Sequence, residues 1–455
     1  MADALGCRFG AHTTAAPPTV LIRRGFDQDS ASRRHTLDRL SHLTNLIWTA
    51  AIQEFALAYE SDTQDLPPVT NWTKDWDWLD DQWGANAIDI WNDIRKECPV
   101  ATTERYGRAF MPVTMEGVAQ VAHDTEHFSS IFVNVSRPDA PRRPAPPITS
   151  DPPDHHGHRR LLLPAVSPKN INQMEDEMRT FCRSLIADLG DANEVEAAEH
   201  YTQHIPVHGI CKLTGIPEED ADLFRDWIYR NFQLAPRDNA VRIEVMTEMN
   251  AYIGQILEDR LADPQDDMLT MITNAEIDGE PVAWDLKRGY VALLIIAGID
   301  TTWSAIGSGI WHFAQNPDQV AKLVAADNSD LLWQTASEEV LRYYAPVTMG
   351  RKIIKDTEIA GCPVRAGEQT LVTFPAANHD PAAFEHPAEF QIDRARNRHV
   401  AFGLGVHRCV GSNLARLEGL VALQEWLRAF PNYSLDPERE TSWANGQIRG
   451  PRNIP

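Results

Sequence analysis

Cysteine is sparse and scattered in this sequence: six in 455 residues, at positions 7, 98, 182, 211, 362 and 409, with no two at CxxC spacing. That scarcity argues against a disulfide framework and against a thiolate zinc site, and it fits a reduced cytosol. Positive charge is short as well, since 42 Lys and Arg face 65 Asp and Glu for a formal net charge of −23. A nucleic-acid binder needs cationic surface to displace counterions, and anionic lipid repels so acidic a chain, so neither partner is expected. Long apolar runs are missing too. The start, MADALGCRFGAHTTAAPPTV, has no continuous apolar stretch of the kind a signal peptide needs. The uncharged run Tyr290–Ile299 is ten residues, too short to span a bilayer. What remains is a cytoplasmic globular protein of ordinary composition, 43% hydrophobic and 24% charged, long enough for several average domains or one large one.

Residues 1–45 show weak periodicity and read as an extension of uncertain order, with 46–455 as a single domain that no linker divides. Five tryptophans between 66 and 96 mark a packing region. A strand-like patch over 105–114 precedes RPDAPRRPAPPITSDPP, whose seven prolines between 138 and 153 exclude helix and central strand. That run is expected to be an ordered loop or a lid. From 155 to 345 the pattern is helical, broken at TGIPEED, LAPRDN, LADPQDD and QNPDQ. Period-two alternation over 347–376 predicts short strands, and 410–429 predicts a last strong helix before a strand-like tail. The fold class is mainly α with a minor β region.

Chemistry concentrates in FGLGVHRCVGSNLARLE, residues 402–418. Cys409 stands just before a helical pattern, where amide donors favour thiolate over thiol. Gly403, Gly405 and Gly411 clear side chains from around it and let backbone approach something flat and large. Cys409 could also be a small buried residue in a glycine-rich turn, or a nucleophile with His407 as its base, although no third orienting group presents itself.

The run Phe402, Gly405, Cys409, Gly411 has the spacing FxxGxxxCxG and resembles the haem-binding loop of the cytochromes P450. Three further matches follow the family's order. EEVLRYYAP carries ExxR as Glu339 and Arg342, three apart on one helix face, and HPAEFQIDRAR offers Arg394 as the arginine that joins them. DPPDHHGHRR is similar to the helix that crosses the haem edge, with His155 and Arg159 four apart; His156 and His158 on it are expected to be solvated. AGIDTT is similar to the oxygen-activating segment of the long distal helix. Ala297 and Thr301 share a face there, and Gly298 removes a side chain where backbone must be approached. The Thr301 hydroxyl can bond the carbonyl of residue 297 and loosen the helix.

The resemblance covers roughly residues 90–450. It implies the P450 fold, a triangular helical prism with small antiparallel sheets, and haem b held by the Cys409 thiolate. It implies propionate contacts from His155, Arg159, Arg351 and His407, and proton relay to dioxygen through Asp300 and Thr301. The implied reaction is insertion of one atom of O2 into a C–H or C=C bond. No flavin or iron–sulfur segment is visible, so electrons from NAD(P)H must arrive through partner proteins. Five arginines and two histidines lie between 394 and 416 without one acid, so an acidic ferredoxin is expected to dock near Arg396, Arg398 and Arg408. The substrate pocket is expected from 137–150, 232–240, Leu293–Thr301 and the segment after Pro346. Leu294, Val347 and Met349 there suit an apolar ligand, whether terpenoid, aromatic, fatty-acid or steroid-like. The alternatives are a haem-binding sensor or carrier and a peroxide-using relative, neither of which needs the Asp300–Thr301 pair.

Overall fold

The computed structural model describes residues 66–135 and 144–455, all within one compact unit spanning 55–455. The expected domain boundary at 45/46, and the extension before it, lie outside the described residues. Helix α1 (Asp81–Glu97) starts where the Asp80 carboxylate accepts from the Gln82 N–H, a side-chain cap. Its inner face carries Trp83 and Trp91, which meet edge to face at 5.5 Å and, with Trp76, are essentially inaccessible. The tryptophan-rich stretch is therefore packing.

The patch expected over 105–114 contains β2 (Ala109–Pro112), and β1 (Val100–Thr103), which pairs antiparallel with it, lies just before the patch. Next come α2 (Met115–His123) and β3 (Phe128–Ser129). Residues 144–153 are not a linker. A Cβ on Gly289 would lie 2.3 Å from the Pro144 carbonyl oxygen, so this stretch lies directly on the long helix described below. Asp151 also accepts from the Ser130 N–H at 2.8 Å.

The helical middle supplies α3 (Asp154–Leu162), α4 (His204–Thr214), α5 (Ala221–Tyr229) and α6 (Asn239–Ala262). Gly215, in TGIPEED, closes α4 in the left-handed region at φ 84°, which a side chain would strain. A short hairpin of β4 (Glu276–Ile277) and β5 (Glu280–Pro281) leads into α7 (Trp284–Ala314), 31 residues at the centre of the main core. The ten-residue run judged too short for a bilayer is part of this helix, which by length and hydropathy alone could cross one. However, 61% of its most apolar window is buried within the protein, as a core helix requires.

After α7 come α8 (Leu331–Tyr343), β6 (Met349–Ile353), β7 (Thr357–Ile359), β8 (Cys362–Val364), β9 (Gln369–Val372) and α9 (Ser412–Ala429). One sheet runs β1-β2-β9-β6-β3, and β7-β8 is a separate hairpin. The sheet is not wholly antiparallel, as the family resemblance implied. β2 and β9 pair parallel, Ala109 opposite Gln369, because the chain returns to this edge only after the whole helical middle. The strand-like tail makes isolated bridges only, Val347 to Ile448 and Trp443 to Pro451.

Candidate active site around Cys409

The Cys409 loop is built by glycines. Gly403 and Gly405 adopt φ of +72° and +67°, and a Cβ on Gly405 would lie 2.4 Å from the Ala122 carbonyl oxygen, so the loop closes onto α2 only with glycine there. The Cys409 N–H donates to the Phe402 carbonyl at 2.7 Å, bending the chain back on itself. Cys409 is exposed at its surface, yet its depth in the protein is the largest influence on the thiol and pushes its pKa up. The Gly411 N–H and the charges of Arg159, Arg408 and Arg416 oppose that rise. The thiolate preference read from the helix start is thus a contribution set against burial. A metal cation at the sulfur would tip the balance.

Beside the loop stands a group of bases with little to bind. The His155 and His407 rings meet at 4.4 Å. Both nitrogens of His155 and Nε2 of His407 are buried without a hydrogen-bond partner among the described residues. Burial depresses both rings, His155 to about 4 and His407 to about 3, and Arg159 adds to each; Arg351 also bears on His407. Arg351 is 5% exposed; among the described residues its side chain bonds the Gly350 carbonyl alone, and burial lowers it to about 10. Among the described residues, no carboxylate lies within ion-pair distance of Arg159 or Arg351. Orphaned donors around one place suit an anionic ligand with several acceptor oxygens.

On α7 the Thr301 hydroxyl donates to the Ala297 carbonyl at 2.8 Å. Ala297 is exposed between the buried Ile295 and Ile299, so a stripe of the core helix opens at Ala297 and Thr301. One turn further, Ala305 packs in a small cluster with Ala401 and Phe402 of the Cys409 loop. Ala297, Thr301 and Ala305 are four apart, so the loop and the open stripe share one face of α7. A Cβ on Gly298 would lie 2.2 Å from Ile210 Cδ1, so this glycine serves the packing of α4 on α7 rather than access from the open side.

Asp300 is held differently from Thr301. It is buried, and Arg452 grips it as a fork, Nη1 to Oδ1 at 2.6 Å and Nη2 to Oδ2 at 2.9 Å. Burial raises its pKa above the ordinary carboxylate range although Arg452 pulls the other way. Behind the loop, Glu339 accepts from Arg342 and Arg394, all three buried. Its neighbour Glu338 accepts from Arg416 Nε at 2.7 Å and from His399 Nε2 at 2.9 Å. Arg394, Arg416 and His399 are therefore neutralised, while Arg396, Arg398 and Arg408 are exposed and have no ion pair among the described residues.

His156 is exposed as expected, but His158 is not solvated: its Nδ1 lies 2.5 Å from the Tyr290 hydroxyl on α7. Sequence reasoning missed Arg452, Glu338 and Glu418. Glu418 is a fully buried carboxyl on α9, pushed well above its usual pKa by burial, beside Thr302. Its position as the seventh residue of a helix of ordinary pattern gave no signal.

A glycine-framed sulfur beside a cluster of unneutralised cations, facing a core helix opened at a threonine, is the arrangement a haem-thiolate oxygenase uses. The sequence profile described as "Cytochrome P450" matches residues 331–444. The polyketide biosynthesis cytochrome P450 PksS of Bacillus subtilis is 30% identical over 68% of this chain and 76% of its own. The vitamin D(3) 25-hydroxylase of Pseudonocardia autotrophica is 33% identical over 66% and 74%. The solved structure of PksS superposes with a TM-score of 0.75 at 26% identity, covering 83% of this chain and 98% of that one. CYP109E1 from Bacillus megaterium, in complex with testosterone, gives 0.73 at 26% identity over 81% and 97%. The chain belongs to the cytochrome P450 family. It is accordingly a monooxygenase that binds haem b through a cysteine thiolate, takes O2 and a small organic substrate, and receives electrons from partner proteins. The residues fit that cofactor, because the orphaned rings and the guanidiniums without a carboxylate partner beside Cys409 suit two propionates.

Proposed function

We propose that this protein is a cytoplasmic, ferredoxin-dependent hydroxylase of an apolar substrate of terpenoid, aromatic, fatty-acid or steroid-like type. Cys409 is the axial ligand, and His155, Arg159, Arg351 and His407 hold the propionates. When bound, the haem supplies O2 activation, with the thiolate's electron density favouring O–O cleavage. Thr301, on the open stripe of α7, holds a hydrogen-bonding hydroxyl where oxygen reaches the helix, and Asp300 beside it renews the proton that hydroxyl passes on. Leu293, Ile296 and Ala297, partly or fully exposed on an otherwise buried helix, favour an apolar ligand. The names of the hydroxylase relative and of the testosterone-bound neighbour agree with that class.

One observation carries the ferredoxin reading: Arg396, Arg398 and Arg408 around Cys409 are exposed and have no ion pair among the described residues, in a chain of net charge −23. Charge-reversing all three should cut ferredoxin-driven turnover at least tenfold, flatten its salt dependence and spare peroxide-driven turnover. Equal losses in both assays would refute docking there. Substrate class is read by titrating the ferric protein with testosterone and with a fatty acid and following the spin-state shift of the Soret band.

A further inference from the structure

Arg452 belongs to the segment 448–455, which lies along α7 in a groove made by small residues. A Cβ on Gly450 would sit 2.3 Å from Ser304 Cβ. One on Gly307 would meet Pro451 Cγ at 3.1 Å and Ile454 Cδ1 at 3.2 Å. Bulk on either side of this contact would lift the segment off the helix. The far end is pinned as well, since the Ala197 N–H donates to the Ile454 carbonyl at 3.0 Å and Glu196 accepts from the Ile454 N–H. Between these anchors Arg452 reaches Asp300. Its guanidinium carbon lies 5.1 Å from the Trp303 ring centre, a cation–π contact. With its amide oxygen turned toward the guanidinium, Gln233 accepts from Arg452 Nε at 2.9 Å. Gln233 follows α5, in the stretch read from sequence as a pocket wall.

We infer that Arg452 is a positioning residue for proton delivery: it fixes the Asp300 carboxylate in one orientation, keeps it ionised inside the core, and ties it through Gln233 to the pocket wall. The inference rests on the reading of Asp300 as the relay acid. An isolated carboxylate this deep would take up a proton and lose its use as an acceptor, whereas a forked guanidinium supplies both charge and direction. Other charged groups near α7 are turned elsewhere. Glu418 on α9 faces Thr302, His208 and Lys212 on α4 bind Glu218, and Glu196 is engaged by the segment 448–455. Among the described residues, Arg452 is the charged group that meets Asp300.

The test compares haem-loaded full-length protein with Arg452→Met, Arg452→Lys, Asp300→Asn and the double variant Arg452→Met/Asp300→Asn, with Arg439→Met as an exposed control. Product formed per NAD(P)H consumed should fall several-fold in Arg452→Met, partly recover in Arg452→Lys, and fall no further in the double variant than in Asp300→Asn. Infrared spectra at neutral pH should show a protonated carboxyl band in Arg452→Met that the double variant lacks, a change independent of turnover. If Arg452→Met couples like wild type and gains no band while Asp300→Asn is impaired, the inference fails and the relay reading stands. If Asp300→Asn is itself unimpaired, the relay reading fails first. Should Arg452→Met not fold, Arg452→Lys carries the test, because it keeps the charge without the fork. Lysine coupling identical to wild type would overturn the positioning role.

Discussion

Arg394 Nε lies 3.0 Å from each oxygen of Glu339, while Arg342 grips the same carboxylate as a fork at 2.8 Å. One buried carboxylate thus serves two guanidiniums. The excess positive charge spreads into the carbonyls of Asn378, Pro387 and Glu389 around Arg342 and of Glu385 and His386 around Arg394. Glu339→Gln leaves both cations uncompensated in the core, and removing one partner of such a pair costs about 3–5 kcal/mol. Urea unfolding of the haem-loaded protein measures it, and a loss below about 1 kcal/mol would mean that water reaches this network.

Cys409→Ser should leave the helical content intact, because no described secondary-structure element depends on the sulfur. The dithionite-reduced, carbon-monoxide-treated protein should lose the strongly red-shifted Soret band that thiolate ligation gives. A variant that kept the band would have another residue as axial ligand.

Gly405→Ala meets two obstacles, a positive φ and the Ala122 carbonyl 2.4 Å from the new methyl. The strained conformation alone costs on the order of 1–3 kcal/mol, and the contact forces the loop off α2. Haem retention on gel filtration should drop sharply. By contrast, Gly361→Ala, at φ +79° but with nothing near its would-be methyl, should cost only the backbone strain and keep the haem.

Acid should weaken the fold in two stages. Burial holds His312 at about 4 and His379 at about 3, below the usual 6.5, so the folded state refuses protons that the unfolded chain accepts. Their stabilisation is complete above pH 6.5 and is lost as pH falls from there toward 4 and 3. Glu338 behaves in the usual carboxylate sense. Burial pushes it up, but His399 and Arg416 outweigh that and hold it at about 2, so its share is present above pH 4.5 and fades toward pH 2. Thermal melts across pH 3–8 should therefore show a first decline beginning near 6.5 and a steeper one below 4.5. His379→Gln should remove part of the first stage alone; an unchanged profile would show that His379 takes up protons in the fold.

What could be read in advance follows the range of the contacts. Glu339 and Arg342 sit one turn apart, so their partnership was visible in the spacing, and Thr301 finds the Ala297 carbonyl four residues back for the same reason. The strands of 349–372 were legible because short strand-forming runs there are separated by turns at Gly361 and Gly367. Arg452, by contrast, reaches Asp300 across 152 residues, and neither neighbourhood hints at the other. The parallel pairing of β2 with β9 was hidden likewise, since register between distant strands is fixed by the helices that intervene. His158 looked like a surface histidine until Tyr290, on another helix, came within 2.5 Å.

Glu338 and Glu339 are adjacent, yet they turn to different partners: Arg416 and His399 for the first, Arg342 and Arg394 for the second. Inserting or deleting one residue of α8 ahead of the pair would swing both carboxylates by about 100° and strand Arg394, His399 and Arg416 at once, while Arg342, on the same helix, would turn with them. A changed side chain on the exposed positions of α8 should pass almost unnoticed. The helix works like a key, tolerant of what is painted on its handle and intolerant of any change in its length.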